Sequence, residues 1–97
     1  MKKNTYHIDI SGISDKNGED LSHLETISFN FACHDDLHEI MSRVSSIDGL
    51  STTEKNTLAV GIKMLGEVML ENRKHPLFEE FSRAFGQFMK KLKAQVK

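Results

Sequence analysis

The run Gly66-Glu67-Val68-Met69-Leu70-Glu71-Asn72-Arg73-Lys74-His75-Pro76-Leu77-Phe78 decides the fold, because it joins two amphipathic helical patterns through the only proline of the chain. Pro76 has no N–H and clashes with a preceding helical turn, so it ends one helix, and its fixed φ suits the first turn of the next. Upstream, Ser51 and Glu54 stand at capping-box spacing and predict a helix over 52–74. Leu58, Ile62, Leu65, Val68 and Met69 line its main apolar face. Ala59, Gly66 and Leu70 add a second strip, Val60 and Met64 a third, and only Lys63, Glu67 and Glu71 keep a polar edge. A helix apolar on most sides belongs at the centre of a fold. Downstream, Phe78, Phe81, Phe85, Phe88 and Leu92, flanked by Leu77, Ala84 and Met89, predict a helix over 76–94 with an ordinary core face.

Working outward, Asp36 and Glu39 have the spacing of a helix start, and Leu37, Ile40, Met41, Val44 and Ile47 form one apolar stripe over 36–47, stopped at Asp48-Gly49. Nearer the N-terminus the period changes from three or four to two. Tyr6, Ile8 and Ile10 alternate with His7 and Asp9, and Ile27, Phe29 and Phe31 alternate with Ser28 and Asn30. Asn17-Gly18 between them suits a turn, so an antiparallel hairpin over about 4–31 is expected. The order β-β-α-α-α over one domain, 1–97, is α+β: a β-hairpin packed on three helices. Two strands alone make a marginal sheet. Either the three helices cover one face, or a second copy adds its own hairpin and removes the exposed strand edges.

Composition narrows the function classes. The net charge of −1 argues against a dedicated nucleic-acid coat, but the charge is split. Residues 1–48 hold four Lys/Arg against nine Asp/Glu, and residues 49–97 hold nine against five. Such a dipolar surface suits partner contacts as well as it suits simple solvation. The single Cys33 excludes an internal disulfide framework and fits a reducing compartment. Neither a membrane span nor the continuous apolar region of a signal peptide is visible, so a cytoplasmic protein is expected.

Each ligand-rich run has a bland reading that outweighs the chemical one. His34 and His38 are four apart and Cys33 is adjacent, which makes these three the weak candidates for a metal. His34 precedes the first helical turn, however, and no distant Cys/His pair completes a site. Neither a metal nor another cofactor is therefore expected. Cys33 as a nucleophile is opposed by Asp35 and Asp36, which disfavour the thiolate. Arg73, Lys74 and His75 could form an anion or partner rim with the following helix start, and Lys90, Lys91 and Lys93 extend the basic character of the last helix. The competing reading is cations complementing a helix C-terminus, with His75 capping the next helix. Phosphate loops, a Ser-His-Asp arrangement and paired catalytic carboxylates are absent from the sequence.

These residues also carry a resemblance. His34-Asp35-Asp36, Leu65 to Leu70, Arg73-Lys74-His75-Pro76-Leu77-Phe78, Phe85-Gly86 and Phe88-Met89 resemble a family of short bacterial proteins, domain of unknown function 3861. The resemblance covers nearly the whole chain and implies a bacterial, stand-alone, cytoplasmic protein. It implies no activity and transfers no functional residue. The resulting expectation is a small non-catalytic interaction or regulatory module that associates with itself or with another protein, away from membranes. The alternative is a nucleic-acid or anion binder using Arg73, Lys74, Lys90, Lys91 and Lys93.

Overall fold

A computed structural model of the chain describes residues 2–97, and the element order is β1 (Asn4–Ile10), β2 (Ile27–Cys33), α1 (Leu37–Val44), α2 (Thr52–Glu71) and α3 (Phe81–Gln95). This is the expected α+β arrangement. The strands pair antiparallel from Asn4↔Cys33 to Ile10↔Ile27, so Tyr6, Ile8 and Ile10 share a face with Phe31, Phe29 and Ile27. The other face is polar. His7 contacts both Asn30 and Asp9 at 2.9 Å, and Ser11 contacts Thr26 at 3.1 Å. Gly18, at φ 83°, turns the connecting loop as only a residue without a Cβ does readily.

Coverage of the apolar sheet face fades along the strands. Cys33 is 1% exposed and Tyr6, Ile8 and Phe31 are half-buried, whereas Phe29, Ile10 and Ile27 reach 39%, 52% and 61%. The closed end is tied down by hydrogen bonds. The Leu37 N–H donates to the Tyr6 hydroxyl at 2.8 Å, and the Asn4 side-chain amide donates to the Asp35 carbonyl at 3.0 Å. The first of these satisfies one of the four N–H groups that a helix start leaves without partners.

The caps form as their spacing dictates. Asp36 accepts from the His38 and Glu39 N–H groups, and Ser51 and Glu54 form a reciprocal capping box. The helix ends differ from expectation. α2 stops at Glu71, not at residue 74, because the Asn72 side chain returns to the Val68 carbonyl at 2.8 Å. Arg73 and Lys74 therefore lie in the turn beyond the helix rather than in its last turn. α3 begins at Phe81, not at Pro76. The Phe78 N–H closes a tight turn onto the His75 carbonyl at 3.0 Å, and regular α-helix starts only after it. α1 likewise ends at Val44, and its stripe continues through hydrogen-bonded turns to the buried Ile47.

The core is a three-helix cluster. Val44, Ile47, Ala59, Ile62 and Leu92 are buried together, with Ile40, Met41, Leu58, Phe85, Met89 and Val96 packed against them. Ala59 is fully enclosed, and its small side chain lets the neighbouring helices approach α2 closely. Two expected core positions face out instead. Ala59, Ile62, Gly66 and Met69 occupy about 80° of the α2 circumference, and Leu65 and Val68 fall beyond that arc. They are 37% and 49% exposed. The aromatic stripe of α3 divides the same way, with Phe85 inward and Phe81 and Phe88 outward at 44% and 42%.

Tyr6→Phe keeps the ring and removes the hydroxyl that serves the Leu37 N–H. Chemical denaturation should show a loss of about 1 kcal/mol, with the circular dichroism spectrum unchanged; undiminished stability would show that water replaces the bond at no cost.

Candidate functional site

The polar edge of α2 is where the hairpin and the helices exchange charge. Lys63, Glu67 and Glu71 repeat every four residues, so they share one side of the helix. That side meets the start of β1 and the loop after β2. Lys3 Nζ lies 2.5 Å from Glu71 Oε1 and 3.3 Å from Glu67 Oε1, and Lys63 Nζ lies 2.7 Å from Asp35 Oδ2. His34 Nδ1 is 2.7 Å from Glu67 Oε1, yet the two are not aligned as a hydrogen bond and both atoms are sealed from water. The contact is thus one of proximity, and each atom keeps unused bonding capacity.

His34, Glu67 and Glu71 are the one group of three potential metal ligands among the described residues, their ligand atoms lying within 4.8 Å of one another. The Lys3 ammonium already lies within ion-pair distance of both carboxylates there. This trio replaces the one that the sequence suggested. Cys33 is buried at the end of β2, and His38 is exposed on α1 with its ring 5.9 Å from that of Tyr6. Neither reaches His34 as a co-ligand. Glu67 and Glu71 went unnoticed as partners of His34 because they are distant in sequence. The visible signal was a regular polar edge on an otherwise apolar helix, which implies a charged neighbour.

The basic residues separate into two groups. Arg73, Lys74 and His75 sit at the α2–α3 corner, where His75 Nδ1 accepts from the Leu77 N–H at 3.1 Å and caps the turn through Pro76. His75 is exposed, with its ring 6.0 Å from that of Phe78. Lys90, Lys91 and Lys93 lie toward the other end of α3. Lys90 is nine residues beyond the helix start, about 14 Å at the α-helical rise. Lys90 and Lys91 also diverge by about 100° around the axis. A continuous rim through all six, as the sequence suggested, therefore does not form.

Lys93 instead joins a cavity that the sequence did not reveal. A half-enclosed space of about 270 Å³ opens between α1 and α3 over α2. Ile40, Val44, Ile62, Met89, Leu92 and Val96 line it, and Arg43, Lys63 and Lys93 supply its only polar side chains. Arg43 is paired with Glu39 at 2.5 Å and Lys63 with Asp35 at 2.7 Å. Among the described residues no carboxylate lies within ion-pair distance of Lys93. The Lys63 hydrogen bond, aided by the positive charges of Lys63, His34 and Lys93, holds the Asp35 carboxyl below its ordinary value.

The family model described as a domain of unknown function with solved structure, DUF3861, matches residues 4–94. This chain belongs to the DUF3861 family. A crystal structure of a protein of unknown function from Pectobacterium atrosepticum SCRI1043 is 38% identical, with 96% of this chain and 99% of that chain covered and a TM-score of 0.83. No curated protein matches the chain. The DUF3861 assignment accords with the resemblance carried by the Lys74-His75-Pro76-Leu77-Phe78 corner and leaves the activity undetermined. Among the described residues of this DUF3861 protein, no helix is long and apolar enough to cross a membrane.

The Lys3–Glu71 pair has a definite pH signature. Its hydrogen bond lowers the Glu71 carboxyl below 4.5 and raises the Lys3 ammonium above 10.5. The Glu71 contribution to stability is present above pH 4.5 and fades as pH falls through the lowered folded value. The Lys3 contribution is complete below pH 10.5 and fades as pH rises through the raised one. In Lys3→Met, carboxyl NMR titration should find the Glu71 midpoint moved up toward 4.5. An unmoved midpoint would show that the pair does not persist in solution.

Proposed function

We propose that the protein is a non-catalytic interaction module that works as a dimer of this chain, and the observation that carries this reading is an excess of exposed surface. The accessible surface is 7645 Å², whereas a folded monomer of 11.0 kDa exposes about 5,600 Å². The difference, roughly 2,000 Å² per chain, is the area that obligate partners cover. The radius of gyration agrees, at 15.7 Å against about 12.5 Å for a compact domain of this length.

The excess has a chemical character. Twelve large apolar side chains are exposed while nine residues form the buried core, so exposed large apolar side chains outnumber the residues that the single chain buries. Ile10, Ile27 and Phe29 bare the open end of the sheet, and Leu65 and Val68 run along the outside of α2. Gly61 lies on that same outer strip, four residues before Leu65. A Cβ there would touch nothing within 4 Å, although mid-helix glycine costs about 1 kcal/mol relative to alanine. A neighbouring backbone lying close against α2 accounts for its presence.

The non-catalytic part of the reading is supported by Cys33, whose thiol is enclosed and out of a substrate's reach. A single unpaired cysteine fits a reducing compartment, and we place the dimer in the cytoplasm. Light scattering at micromolar concentration should give twice the 11.0 kDa chain mass, and Val68→Glu should halve it without loss of helical signal. A wild-type chain that remains monomeric at every concentration would overturn the proposal.

A further inference from the structure

We propose that the cavity between α1 and α3 binds a small amphipathic monoanion, a medium-chain carboxylate, with its alkyl chain on Ile40, Val44 and Leu92 and its head at Lys93. The inference is separate from self-association, because the cavity uses none of the outward residues Leu65, Val68, Phe81 or Phe88.

Three properties of the cavity select the ligand. Its volume, about 270 Å³, lies near the lower end of small-molecule sites, about 300 Å³, which suits a single flexible chain and not a ring system with substituents. Apart from the three cations at its rim, every lining side chain is a hydrocarbon or thioether. A ligand body carrying hydrogen-bonding groups would leave them unpaired on entering, at a free-energy cost that an alkyl chain avoids.

The head group follows from charge. Arg43 and Lys63 are already paired with Glu39 and Asp35, which leaves the Lys93 ammonium as the rim cation with no carboxylate within ion-pair distance among the described residues. One cation without a direct ion pair beside an apolar cavity matches one negative charge. A dianion such as a phosphate monoester would need a second free cation or the breaking of an existing pair. A neutral alcohol of the same length would gain the apolar contacts and forgo the ion pair.

The test is methyl NMR of the full-length protein titrated with decanoate and, separately, decanol, both below their aggregation limits. Decanoate should shift the methyl signals of Ile40, Ile62 and Leu92 and bind about tenfold more tightly than decanol, and octanoate should bind about tenfold more weakly than decanoate. Lys93→Met should abolish the preference for the acid over the alcohol, and Lys93→Arg should keep it; Lys93 is exposed, so neither change threatens the fold. Three results would overturn the assignment: no saturable binding of decanoate, equal affinity for acid and alcohol in the unaltered protein, or shifts confined to Leu65 and Val68.

Discussion

Everything in this molecule is hung on one helix. α2 buries Ala59 and Ile62 in the cluster it shares with α1 and α3, and its charged edge grips the hairpin. Its length allows this, since 20 residues span both halves of the fold. Without α2 the hairpin would be an isolated two-stranded sheet, which is marginal in water. The fastening is concentrated at one end, where Lys3, Asp35 and the Tyr6 hydroxyl meet helical partners. The far end, with Ile10 and Ile27, receives no comparable cover.

That asymmetry links architecture to assembly. A small chain encloses a limited fraction of its surface, and the main buried cluster of this one lies among its three helices. The exposed apolar side chains fall on the outer strip of α2, the flank of α3, the open sheet end and the connecting segments that hold Ile13, Leu24, Leu50 and Leu77. On the dimer proposed above, a second copy of the chain covers them.

Much of the scaffold could be read from residue types and spacing. Asp36, Ser51 and Glu54 announced their helices because a cap is a local event, decided within four residues. The strands were legible because their period is two, and the register followed the apolar positions Tyr6, Ile8 and Phe31. The helix ends near Pro76 were less legible. Proline forbids a helix from passing through but leaves open how many turn residues follow, and Asn72 cut α2 short by a side-chain bond that spacing does not reveal. Periodicity also places a residue on a face without saying what lies opposite, so Leu65 and Phe88 looked like core and stand outside. The charge cluster of Lys3, His34, Glu67 and Glu71 joins residues up to 68 positions apart, and the Lys93 cavity needs three helices in place. Such sites exist only after packing.

The claim that α2 leaves an apolar face for a second copy is tested most directly by hydrogen exchange measured across a range of protein concentrations. The account predicts that amides of the second half of α2, around Leu65 to Leu70, become more protected as concentration rises, while those of the polar turn around Asn17 and Gly18 do not change. Protection that is independent of concentration along the whole of α2 would contradict it.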